Sequence, residues 1–180
     1  MFQRIPICDL DGTLVDSDVA LASAFRALGV ADQDITYGHV LAEECQRLGL
    51  QVEDYLAVYD PLEVQPFPGV TEMLSALDRW AVCSNKHPAS GTAELKRLGW
   101  FPDVAHFADS FNGPKRLGPS LQALGVTPDD VVFVGDTEHD RLCAAETGVT
   151  FVLAGWNQRA QAHDTDVVLL HPSQLLDLLR

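Results

Sequence analysis

Asp9 and Asp11 stand one residue apart, directly after the apolar run Ile5-Pro6-Ile7-Cys8, and Gly12-Thr13 follow them. An extended chain points alternate side chains to the same side, so the two carboxylates can converge on one small volume. Two anions that close repel, and the repulsion favours protonation of one of them. Such a pair makes sense where a cation sits between them, or where one member carries a proton as a general acid. Gly12 lets the backbone leave the strand sharply. The stretch has the make-up of a reactive site.

The elements that would position it follow from two periodicities. Short apolar runs without strict alternation lie at Ile5–Cys8, Trp80–Cys83, Val131–Val134, Phe151–Leu153 and Val167–Leu170. Each fits a strand covered on both faces, and helical segments separate them, which predicts an α/β fold with a doubly wound parallel sheet. Helical spacing links Leu21, Phe25 and Leu28; Leu41, Cys45 and Leu48; Val52, Tyr55, Leu56 and Tyr59; Val70, Met73, Leu74 and Leu77; and Leu117, Leu121 and Leu124, where Gly125 stops the stripe. Residues 17–65 read as helical only, and Pro66-Phe67-Pro68-Gly69 restarts the strand–helix alternation. The expected organisation is a core of residues 1–16 and 66–180 with a small helical cap, 17–65, inserted after the first strand.

Three of the expected strands end in polar residues: Asp9 and Asp11 after the first, Ser84-Asn85-Lys86 after the second, and Gly135-Asp136-Thr137-Glu138-His139-Asp140 after Val131–Val134. In an open parallel sheet, ligands bind outside the carboxyl ends of the strands. Three polar clusters at that edge predict one shared site.

Asp9-Leu10-Asp11-Gly12-Thr13, then Ser84, then Lys115, then Gly135-Asp136 with Asp140, resemble the four ordered motifs of the haloacid dehalogenase superfamily. The insertion after the first motif resembles the cap of its phosphoglycolate phosphatase-like branch. The resemblance implies that Asp9 is a nucleophile that attacks a phosphoryl group and becomes an aspartyl phosphate, and that Asp11 protonates the leaving group and then activates water. It further implies a Mg²⁺ ion, a hard cation suited to oxygen ligands, held by Asp9, Asp136, Asp140 and the first motif through Asp11 and the Leu10 carbonyl. Thr13 and Ser84, with Asn85 beside it, would hold phosphoryl oxygens. Lys115 would keep Asp9 ionised and neutralise charge on the transferred group. Arg116 follows that lysine where many members of the family have proline, and Lys86 is a second cation near the site. His139 is expected to face solvent, and Asp16 and Ser17 to start the first cap helix.

Composition sets the partners. Twelve basic against twenty-six acidic residues give a formal charge of −14, which repels a nucleic-acid backbone. With 47% hydrophobic and 21% charged residues, the chain has an ordinary globular balance. No apolar run approaches the roughly 20 residues of a membrane span, and no signal-peptide stretch is evident, so a cytoplasmic protein is expected. Cys8, Cys45, Cys83 and Cys143 are scattered and read as buried thiols. The expected activity is hydrolysis of a small phosphorylated metabolite; the sequence is silent on oligomeric state. A sugar phosphomutase of the same superfamily needs both aspartates too, but it also needs cap residues for the sugar that are not obvious here. A receiver-like phosphoacceptor module would carry its aspartate on a later strand and lack the insertion. The resemblance implies that dehalogenases lack the second aspartate, which is present here.

Overall fold

The computed structural model describes residues 4–180. In chain order its elements are β1 (Ile5–Cys8), β2 (Val15–Asp16), α1 (Asp18–Ala27), α2 (Leu41–Leu48), α3 (Val52–Val58), β3 (Gln65–Pro66), α4 (Val70–Ser75), β4 (Ala81–Cys83), α5 (Pro88–Leu98), β5 (Val104–His106), α6 (Gly118–Leu124), β6 (Val131–Gly135), α7 (Glu138–Thr147), β7 (Thr150–Ala154), β8 (Val167–Leu169) and α8 (Gln174–Leu178). Among these residues, no helix is long and apolar enough to cross a membrane.

Six strands form one parallel sheet in the order β5-β4-β1-β6-β7-β8. The chain builds outward from β1 to β5, returns to pair β6 against β1, and builds outward the other way. The reversal opens a crevice at the carboxyl ends of β1 and β6. Alternation sorts the strand residues onto two faces. Cys8, Val82, Val132, Val134 and Val152 pack with Met73 and Leu74 of α4, Leu95 of α5 and Leu175 of α8. Ile5, Ile7, Ala81, Cys83 and Phe133 pack on the other face with Leu121 of α6 and Cys143 of α7. This is the expected α/β architecture. All four cysteines are free and buried.

Pro6 would be unwelcome in a central strand because it cannot donate to the ladder. The Asp9 N–H donates to the Val134 carbonyl of β6 at 2.9 Å, so by alternation the Pro6 nitrogen faces β4. Pairing with β4 begins only at Ile7, opposite Ala81, and no ladder bond is lost.

Two strand pairings were not expected from the sequence. The edge strand β5 is three residues long and only partly buried, so it lacks an apolar run. Strands β2 and β3 form a two-stranded antiparallel ribbon, Val15 opposite Pro66 and Asp16 opposite Gln65, where the chain leaves the sheet and returns. Between them α1, α2 and α3 bury their own cluster: Ala22, Ala24, Phe25, Ile35, Cys45 and Tyr55. Phe25 is 1% exposed, and its ring centre lies 4.8 Å from that of Tyr55. Phe25→Ala should therefore cost about 3–5 kcal/mol in urea denaturation; a loss below about 1 kcal/mol would show that this cluster contributes little.

Candidate active site

Asp9 leaves β1 at the crevice, and its side chain is buried. One carboxylate oxygen accepts the Leu10 N–H at 2.7 Å; the other lies 2.7 Å from the Lys115 ammonium. Lys115 sits in an irregular loop before α6, and three contacts hold that loop. The Asn85 side-chain oxygen accepts the Lys115 N–H at 2.7 Å, the Cys143 thiol donates to the Lys115 carbonyl at 3.4 Å, and the Cys83 thiol donates to the Arg116 carbonyl at 3.6 Å. The ammonium also lies 2.5 Å from Asp140 Oδ1 and 5.6 Å from the Phe133 ring centre. Lys115 thus joins the first polar cluster to the last, whereas Lys86 serves a different aspartate.

After Asp9 the chain turns back on itself. The Leu10 carbonyl accepts the N–H groups of Leu14 and Val15 at 2.9 and 3.0 Å, and the Gly12 N–H donates to the Val15 carbonyl at 2.8 Å. Gly12 has φ +74°, and a Cβ there would overlap the Asp136 carboxylate, so both conformation and space require glycine. The Leu10 carbonyl, expected at the metal, closes this turn, and its side chain lies in the core. Thr13 is also wholly buried; its hydroxyl donates to Asp136 Oδ1 at 3.0 Å and so steers an aspartate instead of lining the cavity.

Asp140 is the third residue of α7 and completes a capping box with Thr137. Its Oδ2 accepts the Asp136 N–H at 3.1 Å, the Thr137 N–H at 2.9 Å and the Thr137 hydroxyl at 2.7 Å. With Oδ1 on Lys115, both oxygens have protein partners. Asp11 belongs to another network: its Oδ1 lies 2.6 Å from the Lys86 ammonium. A cavity of about 70 Å³ lies between these groups, lined by Asp9, Asp11, Ser84, Asn85, Lys115 and Asp136 together with Lys86 and residues of the helical insertion. Leu10, Thr13 and Asp140 support it from behind. The Ser84 hydroxyl oxygen accepts the Lys86 N–H at 3.3 Å, leaving its own proton to donate. The Asn85 amide also donates to the Gly38 carbonyl of the insertion at 3.3 Å. His139 is exposed and meets His39 of the insertion edge-on, ring centres 5.7 Å apart. Ser17 occupies the N-cap position of α1 but makes no side-chain capping bond; Asp16 accepts the Asp18 N–H instead, at 3.4 Å.

Residues 7–154, which span all four clusters, match the haloacid dehalogenase-like hydrolase family. The chain belongs to this family. It is 28% identical to the pyrophosphatase PpaX of Halalkalibacterium halodurans, over 95% of this chain and 94% of that one. It is 27% identical to a phosphoglycolate phosphatase of Xanthomonas campestris, over 97% and 95%. In fold it is similar to a haloacid dehalogenase-like family hydrolase from Streptococcus pneumoniae, with a TM-score of 0.77, 23% identity and 99% coverage of both chains.

The hydrolase gathers more negative charge here than its cations balance. Burial, and then repulsion from Asp140 and Asp9, push Asp136 up to about 8, against the Thr13 hydrogen bond and Lys115. Burial pushes Asp9 up to about 6, with Lys115 pulling the other way. Burial would also raise Asp140, but Lys115 and its hydrogen bonds hold it below the ordinary carboxylate value. Burial works to lower Lys115, and Asp140 and Asp9 outweigh it, so the lysine stays charged. Ligand atoms of Asp9, Asp136 and Asp140 lie within 4.8 Å of one another. An all-carboxylate group with surplus negative charge suits a hard divalent cation.

Sequence reasoning did not single out Asn157. Its amide donates to the Gly12 carbonyl at 2.8 Å and to Asp136 Oδ2 at 3.1 Å, clamping the first turn to the last cluster. The available signal was its position just past β7, at the same sheet edge. Trp156 assists by donating to the Thr13 carbonyl at 2.8 Å.

The carboxylate shifts predict how metal-free protein responds to pH. Asp9 and Asp136 hold protons in the fold that they would release near the ordinary value of 3.8 when unfolded. Their contribution to stability is therefore complete below that value and is lost as pH rises through about 6 and about 8. With EDTA, Tm should be lower at pH 8 than at pH 6. Millimolar Mg²⁺ should shrink the difference, because a bound cation replaces the protons. A pH effect that Mg²⁺ leaves unchanged would contradict the assignment.

Proposed function

We propose that the protein is a Mg²⁺-dependent phosphatase that hydrolyses a small phosphorylated metabolite in the cytoplasm through an aspartyl phosphate on Asp9. The observation that carries this reading is the division of the two aspartates between two lysines: Asp9 is buried against Lys115, while Asp11 faces the same cavity on Lys86. A nucleophile and a proton carrier need different surroundings, and these two carboxylates have them. The names of the relatives, a pyrophosphatase and a phosphoglycolate phosphatase, support phosphate-ester or anhydride chemistry.

Asp9 and Asp136 would hold the metal directly, and Asp140 would hold the Asp136 backbone and Lys115 in place. When bound, Mg²⁺ would supply positive charge to the phosphoryl oxygens. The Asp9 carboxylate attacks phosphorus as the bond to the leaving oxygen breaks, and Asp11 donates its proton to that oxygen. Asp11 then takes a proton from the water that attacks the phosphorylated Asp9. The Asp9–phosphorus bond breaks, giving inorganic phosphate and regenerated Asp9. Ser84 donates its hydroxyl proton to the phosphoryl group, and Lys115 stabilises its charge.

Residues 17–65 act in this reading as a cap. The β2–β3 ribbon joins them to the core, Asn85 bonds Gly38, and Tyr37, Gly38 and His39 line the cavity with the catalytic groups.

With p-nitrophenyl phosphate and Mg²⁺ the protein should release phosphate, and Asp9→Asn should lower turnover by about 10³-fold or more. Equal turnover by the two proteins would overturn the reading.

A further inference from the structure

Lys86 is a largely enclosed cation that the four motifs leave without a role. Its side chain is 8% exposed, and its ammonium lies 2.6 Å from Asp11 Oδ1 and 3.0 Å from Glu94 Oε1. The Tyr59 hydroxyl, at the end of α3 in the insertion, accepts a third bond at 3.0 Å and donates its own proton to Glu94 at 2.5 Å. An ammonium has three N–H donors and no acceptor, so this cage uses all of its hydrogen-bonding capacity. The Lys86 backbone is pinned as well: its N–H donates to the Ser84 hydroxyl oxygen at 3.3 Å, and its carbonyl accepts the Ala108 N–H at 3.1 Å. Glu94 is wholly buried and its second oxygen has no partner. A fixed lysine therefore meets a partly exposed, otherwise unanchored Asp11 at the cavity wall.

We propose, resting on the function argued above, that Lys86 is a positioning residue that aims the Asp11 carboxyl at the leaving oxygen. Glu94 of the core and Tyr59 of the insertion fix where that lysine can be. Aim matters because a general acid acts only within hydrogen-bond reach of the oxygen it protonates, and an error of about 1 Å can cost about 100-fold. Tyr59 adds a coupling, since the helical insertion must be seated for the cage to be complete.

The competing account is that Lys86 merely neutralises buried Glu94. Phenyl phosphate and p-nitrophenyl phosphate separate the two. They are similar in size, but phenolate is a much poorer leaving group and depends far more on protonation. In Lys86→Met, kcat/KM, which reports the first phosphoryl transfer, should fall about 10- to 100-fold with phenyl phosphate and far less with p-nitrophenyl phosphate. Removing Lys86 alone leaves Glu94 as an unpaired buried charge, which endangers folding. The double variant K86M/E94Q removes that charge, should fold, and should keep the selective phenyl phosphate defect. Recovery of phenyl phosphate turnover in the double variant, or an equal loss with both esters, would overturn the proposal. No turnover of either ester by the unaltered protein would instead overturn the function on which it rests.

Discussion

Four carboxylates, Asp9, Asp11, Asp136 and Asp140, crowd the carboxyl edge of a sheet buried on both faces, and the surrounding structure makes that charge tolerable. Buried anions are stable only when paired and hydrogen-bonded. Lys115 bridges Asp9 and Asp140, Thr13 and Asn157 bond Asp136, and Asp140 is satisfied by the cap of α7. Asp136 still sits at about 8. That residual strain is where a divalent cation would act.

The same charges explain why the supporting residues lie where they do. Asn85, Cys83 and Cys143 have no direct chemistry in this account, yet they hold the loop that carries Lys115. Without them a lysine in irregular backbone would have little reason to stay buried between two aspartates. Glu94 and Tyr59 complete a second polar cage around Lys86, which alone among the described residues holds the Asp11 carboxylate. One strand end thus presents two aspartates, and two independent supports give them different environments.

Much of this was legible in the sequence because strands covered on both faces write themselves as short apolar runs. Ile5–Cys8 is β1 to the residue, and Val131–Val134 is β6 short of one glycine. The polar residues after those runs converge on one edge because parallel strands all end there. What escaped were features set by partners distant in sequence. Strand β5, with its Val-Ala-His composition, exists by pairing with β4. Thr13 and Leu10 lie inside the first motif, but only the path of the turn shows that one faces Asp136 and that the other's carbonyl closes the turn. The choice between Lys86 and Lys115 was a question of which loop reaches which aspartate. Both reach one, and they reach different ones.

The central claim is that the two aspartates of the first motif do different work, with Asp9 taking the phosphoryl group. The most direct test is to quench the protein in acid during turnover of p-nitrophenyl phosphate, reduce the acyl phosphate with borohydride, and locate the resulting homoserine by mass spectrometry. The account predicts homoserine at position 9, with Asp11 intact. Reduction at position 11, or turnover with neither residue modified, would contradict it.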